Sequence, residues 1–114
     1  MLQKRTDILS DDEIQKAVDW LRDNADESAK CRAERIYIEE YRKSLKALLM
    51  KKFVELPISA QEREAYAHAD YINHIKALKI AVEKDEKMKF LRASAEAKIE
   101  AWRTQQANLR SIKL

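Results

Sequence analysis

No glycine occurs anywhere in this chain, and Pro57 is its one proline. Glycine is the residue that enters positive-φ turns without steric cost, so tight hairpins, dinucleotide-binding loops and phosphate-cradling loops are poorly served here. Ala, Leu, Glu, Lys, Gln and Arg dominate instead, and these lose little side-chain freedom in a helix. The expected fold class is therefore all-α. At 114 residues the chain fits one compact domain or one extended helical unit. The extended form buries less apolar surface and usually needs a partner.

Charged residues make up 38% of the sequence, yet 23 basic and 20 acidic side chains nearly cancel to +3. That balance, with periodic Ile, Leu, Tyr and Trp, argues for packed helices over disorder. No segment has the long uncharged run of a membrane span. The opening Met1 to Asp7 lacks the apolar region of a signal peptide. Cys31 is the single cysteine, which excludes an intrachain disulfide and fits a reducing compartment. The expected address is the cytoplasm, with no membrane partner.

Local patterns divide the chain. Residues 1–9 read as an N-terminal arm, and residues 10–114 as a single all-helical domain. Ser10 and Glu13 have capping-box spacing, with Asp11 and Asp12 in the positive first turn. Ile14, Ala17, Val18 and Leu21 then form a stripe with Trp20 at its edge, predicting a helix over Asp11 to Asn24. A break is expected over Asn24 to Ser28, capped by Asp26. The next helix is expected from Glu27 to Glu55, with an inward stripe of Ile38, Tyr41, Leu45 and Leu48, widened by Ile36, Tyr37, Leu49 and Val54. Leu56-Pro57 ends it. Ser59 and Glu62 give a second capping-box match, followed by a short helix and an interruption near His68 to Asp70. The last helix is expected from Tyr71 to about Ser111, roughly 60 Å if continuous. Its first half carries Tyr71, Ile75, Leu78 and Val82 on one side. Its second half carries Met88, Leu91, Ala95, Ile99, Trp102, Gln106 and Leu109, a hendecad-like drift that predicts a nearly straight seam.

Catalytic and metal signatures are sparse. Glu64, His68, Asp70 and His74 are close in sequence and have the chemistry of transition-metal ligands. Their expected role is a helix cap and two ordinary histidines, with no metal and no cofactor. The paired carboxylates Asp11-Asp12, Glu39-Glu40 and Asp85-Glu86 are adjacent in sequence, and adjacent residues on a helix do not face each other. Ser28 and Cys31 have no histidine base nearby in sequence, so Cys31 reads as a small core or boundary residue.

Charge segregation says more. Between Asp7 and Glu40 there are 11 acidic and 5 basic residues; between Tyr41 and Val54 there are 5 basic and none acidic. From Lys84 to Leu114 there are 8 basic and 4 acidic. Arg42, Lys46 and Lys52 (or Arg35) mark a cationic edge on the second helix. Arg92, Arg103 and Arg110 mark another on the last, beside Gln105, Gln106 and Asn108. These six cations, Arg42, Lys46, Lys52, Arg92, Arg103 and Arg110, are the candidate contacts for nucleic-acid phosphates. Among the apolar and aromatic residues, Trp20, Tyr37, Tyr41, Trp102 and Leu109 are the candidates for protein contact, since Tyr and Trp join a large apolar area to a polar group.

The stretch from Ala93 through Trp102 to Arg110, reinforced by Arg63 to Tyr71, resembles small helical accessory proteins encoded by tailed bacteriophages. The resemblance extends over most of the chain after Asp26. It implies a phage or prophage setting, in which such proteins act in nucleic-acid processing or bind host proteins, and it assigns no active site. The expected architecture is an elongated helical bundle, or a long antiparallel helical hairpin, with an N-terminal covering helix. The expected function is noncatalytic protein interaction or assembly; the alternative is a nucleic-acid-binding accessory role through basic helical surfaces. The expected partners are a host or phage protein, a second copy in a homo-oligomer, and DNA or RNA.

Overall fold

A computed structural model describes residues 9–113 of the chain. The N-terminal arm lies outside the described residues except for Leu9. Four α-helices follow in order: α1 Asp11–Asp23, α2 Ala25–Met50, α3 Ile58–Ala67 and α4 Ala69–Lys113, with a 3₁₀ turn at Lys51–Phe53. There is no strand among the described residues, so the all-α class holds.

The chain divides into two compact units. One is built on α1 and on α4 from Met88 onward; the other is Ser28–Lys87. In the first, Ser10 caps α1 by accepting the Glu13 amide at 3.1 Å, and three acidic residues occupy the first turn where the helix dipole favours them. Ile14 and Ala17 are the buried positions of α1. They lie on the side facing α4, where Ala17 and Trp20 share a groove with Leu91 and Ala95. Gln105 clamps the backbone of Leu9, accepting its amide at 2.9 Å and donating to its carbonyl at 3.0 Å. The low-numbered end of α1 thus meets the high-numbered end of α4, and the two helices run antiparallel.

The break after α1 is a single residue rather than a loop. Asn24 leaves the helical region, and both its amide and its side-chain Nδ2 donate to the Trp20 carbonyl at 3.0 Å. Asp26 is no cap; it sits with Glu27 in the first turn of α2. An asparagine that satisfies the last carbonyl of one helix lets the next begin at once, so no further residues are needed for the turn.

In the Ser28–Lys87 unit, α2 and the first half of α4 are antiparallel: Arg35 meets Asp85 and Glu86, while Ile38 meets His74. Among the covered positions of α2, Ser28, Cys31, Arg35, Ile38, Leu45 and Leu49 fall at intervals of 3, 4, 3, 7 and 4. Among those of α4, Tyr71, His74, Leu78, Ala81 and Asp85 alternate 3 and 4, and Val82 of the expected stripe is half-buried beside them. This is heptad spacing on both helices. It differs from the expected stripes by one position at several points: Leu49 is inward and Leu48 outward, His74 inward and Ile75 outward. Polar Arg35, His74 and Asp85 occupy heptad positions, so a reading of apolar residues alone slides onto their neighbours. The same correction applies in the other unit. Among the covered positions there, Met88, Ala95, Ile99, Trp102 and Gln106 fall at intervals of 7, 4, 3 and 4, while Leu91 is exposed. The position in heptad register beside Leu91 is Arg92, which turns to solvent and pairs with Glu96. The hendecad-like drift came from counting Leu91.

Two of the polar heptad positions, Arg35 and Asp85, are bonded to one another. Arg35 donates to Glu39 at 3.0 Å and to both Asp85 and Glu86 at 3.1 Å. Its pKa is raised above the ordinary value, first by the hydrogen bond to Glu39 and then by those to Glu86 and Asp85. Asp85 is 3% exposed, a buried carboxylate that needs such a partner. One guanidinium reaching two adjacent carboxylates also fixes the register of α2 against α4.

The Pro57 connection works differently from its sequence pattern. α3 starts at Ile58 with Pro57 as N-cap residue and no side-chain cap bond, so Ser59 is already inside the helix and the second capping box does not form. Proline pre-sets φ for helix entry, which lets the helix begin earlier than the Ser-x-x-Glu match. Gln61 ties the turn by donating to the Leu56 carbonyl at 2.7 Å. At the far end of α3, His68 adopts extended geometry and α4 begins at Ala69. The His68 Nδ1 accepts the Asp70 amide at 3.0 Å, so the imidazole serves as the N-terminal cap of α4.

Candidate functional site

The five candidate protein contacts fall into two environments. Trp20 and Trp102 are half-buried, both in the unit built on α1 and the C-terminal part of α4. Tyr37 and Tyr41 are exposed, Tyr37 at 65%. Leu109 is exposed near the end of α4.

At 100° per residue, Ala33, Tyr37, Tyr41, Ser44 and Leu48 lie along one face of α2, which flanks the heptad positions that meet α4. All five are exposed. The Tyr37 and Tyr41 rings stack with centroids 6.1 Å apart and planes 12° apart. Tyr41 also lies 5.6 Å from the His74 ring, tilted at 51°. His74 is itself held from below: its Nε2 donates to the Ile38 carbonyl at 2.7 Å, which assigns the proton to that nitrogen. A fixed imidazole thus supports Tyr41, and Tyr41 supports Tyr37. The aromatic pair is pre-organised with its outer faces in solvent, the condition under which a contact residue loses little entropy on binding. Leu48 belongs to this surface although the sequence pattern placed it in the core. The signal was the 4, 4, 3, 4 spacing from Ala33, which is as regular as the inward set; only burial distinguishes the two faces.

Of the six candidate nucleic-acid contacts, Arg42, Lys46 and Lys52 belong to the Ser28–Lys87 unit, and Arg92, Arg103 and Arg110 to the other. Lys46 is half-buried, 3.4 Å from Glu62 and 4.8 Å from the centre of the Tyr66 ring. Its pKa is raised, chiefly by its hydrogen bond with Tyr66, with Glu62 contributing and desolvation opposing. Arg92 pairs with Glu96 at 3.9 Å and Arg103 with Glu100 at 3.4 Å. Arg42, Lys52 and Arg110 are exposed. Three of the six charges are therefore already balanced by a neighbouring carboxylate, which weakens the continuous positive field a phosphate backbone requires.

Of the residues weighed as metal ligands, His68 uses Nδ1 to cap α4 and His74 uses Nε2 on the Ile38 carbonyl. No group of three His, Cys, Asp or Glu side chains among the described residues is placed to hold a metal ion. No helix among them is long and apolar enough to cross a membrane. Cys31 is half-buried on the inward face of α2. Comparison with family models, with curated proteins and with solved structures returns no match to this chain.

Proposed function

We propose that this chain is a noncatalytic helical protein that binds another protein through the outward face of α2, in a phage-related assembly or regulatory complex. One observation carries the reading: a stacked tyrosine pair, braced by His74, stands exposed on the same helical face as Leu48. Aromatic side chains joined to an aliphatic neighbour on a rigid helix are the usual composition of an interface centre. The phage setting is supported by the sequence resemblance alone, carried by Ala93 to Arg110 and reinforced by Arg63 to Tyr71.

The test is capture by crosslinking from a phage-infected lysate, comparing the wild type with Tyr37→Asp and Leu48→Asp. Both positions are solvent-exposed, so helicity measured by circular dichroism should be retained. The wild type should recover one reproducible partner, and each variant should lose most of it. Equal recovery by all three proteins would remove the α2 face from the interaction.

A further inference from the structure

The outward face of α2 matches itself when turned end for end. Along it, Ala33, Tyr37, Tyr41, Ser44 and Leu48 run small, large, large, small, large, and all are exposed. Ala33 and Leu48 are equidistant from a point between Glu40 and Tyr41, and so are Tyr37 and Ser44. An antiparallel α2 related by a two-fold axis at that point sets Ala33 opposite Leu48 of the second copy, and Ser44 opposite Tyr37 of the second copy, each contact made twice. Leu48 and Tyr37 thus each meet a small side chain, the arrangement that lets facing layers interdigitate. The two Tyr41 rings come side by side at the axis, each already braced by its own His74. A parallel copy would instead set Tyr37 on Tyr37 and Ala33 on Ala33, which crowds one level and leaves a void at the next.

Charge agrees with the same orientation. Lys43 Nζ is drawn to Glu40 Oε2 at 3.5 Å, so both charges sit along one border of the face, beside the axis. The two-fold rotation brings this border against its own copy in reverse order, closing a cluster of two acids and two bases with no net charge. At the ends, Lys30 comes opposite Lys51 of the second copy, both exposed, and the apolar contact stops there. The geometry points to a second copy of this chain as the occupant of the α2 face, held antiparallel about an axis at Tyr41. This names the partner for the protein-binding reading above and rests on it. The contact from Ala33 to Leu48 is about 22 Å long. One helix pair of that length is at the small end of specific interfaces, so the dimer is expected to dissociate in the micromolar range.

The test is sedimentation equilibrium of the purified full chain at low salt, from about 1 μM to about 1 mM, with helicity checked by circular dichroism. The wild-type mass should climb from 13.4 kDa toward twice that value, and Leu48→Asp should stay at the lower mass. Ala33→Leu separates interlocking from mere stickiness. It enlarges the exposed apolar face, yet it overfills the site opposite Leu48 of the second copy, so dimerisation should weaken about tenfold or more. Glu40→Lys and Lys43→Glu each leave four like charges beside the axis and should weaken the dimer severalfold; an equimolar mixture of the two should associate more tightly than either alone. A wild-type mass that stays at 13.4 kDa in a folded sample overturns the inference. So does a Leu48→Asp chain that dimerises normally, an Ala33→Leu dimer tighter than wild type, or a mixture no tighter than its components. Monomeric wild type whose lysate capture is still lost in Tyr37→Asp and Leu48→Asp overturns the second copy alone. Lysate capture equal in all three, with a dimer that Leu48→Asp leaves intact, overturns the α2 reading as well.

Discussion

Two adjacent leucines near the end of α2 provide a direct measurement of which face of this helix is the core. Leu49 is 2% exposed and Leu48 is 49% exposed. Leu49→Ala removes about three buried carbons, worth ~0.8 kcal/mol each in transfer, and leaves a cavity that adds to the cost. Alanine returns ~0.2 kcal/mol through its better helix propensity. The net loss is about 2–4 kcal/mol. Leu48→Ala forfeits about half the transfer term and leaves no enclosed cavity, so its cost is about 1 kcal/mol or less. With an unfolding entropy of ~2.1 cal/mol/K per residue, 1 kcal/mol corresponds to roughly 4 °C for a chain this long. Thermal unfolding followed by circular dichroism should therefore show Leu49→Ala melting roughly 8–16 °C below the wild type, and Leu48→Ala within about 4 °C of it. The reasoning is refuted if the two variants lose equal stability at low protein concentration. A Leu48→Ala deficit that grows with protein concentration would instead show that a second copy covers the outward face.

Three further expectations follow from individual contacts. His68→Ala removes the side-chain acceptor at the start of α4 and should cost about 1 kcal/mol in denaturant unfolding, whereas His68→Asp, which can cap the same amide, should restore most of it; equal losses would dismiss the cap. Lys46 has a raised pKa, so the stability it contributes is fully present below its unfolded value of about 10.4 and is lost as pH rises through the higher folded value. Lys46→Arg, which stays charged, should flatten the alkaline decline in denaturant midpoint relative to the wild type, and Tyr66→Phe, which removes the main cause of the raised pKa, should flatten it too; identical alkaline slopes in all three proteins would exclude Lys46 as the source. Gln105→Ala breaks both bonds to Leu9 and should cost about 1 kcal/mol, with faster hydrogen exchange at the Leu9 amide. Unchanged exchange there would mean that Gln105 does not hold the start of the described chain.

The sequence by itself determined the class and most of the punctuation of this fold. A chain without glycine has little besides helix open to it. Ser10 with its acidic first turn fixed the start of α1, because caps act within a few residues through the backbone alone, whereas α2 stops at Met50, ahead of the end at Glu55 that Pro57 suggested. Tertiary structure decided which side of each helix is inside. Arg35, His74 and Asp85 are polar yet sit at heptad positions, and their placement is tolerable only because each finds a partner far away in sequence: Arg35 with Asp85 across 50 residues, His74 with the Ile38 carbonyl across 36. No local pattern announces such pairs, so the apolar stripes drifted onto Leu48, Ile75 and Leu91. The candidate surface was legible in part for the same reason. Tyr37 and Tyr41 could be singled out by residue type, but an amphipathic helix with apolar residues on two faces has two possible cores, and only the burial of Leu49 against the exposure of Leu48 says which one faces water.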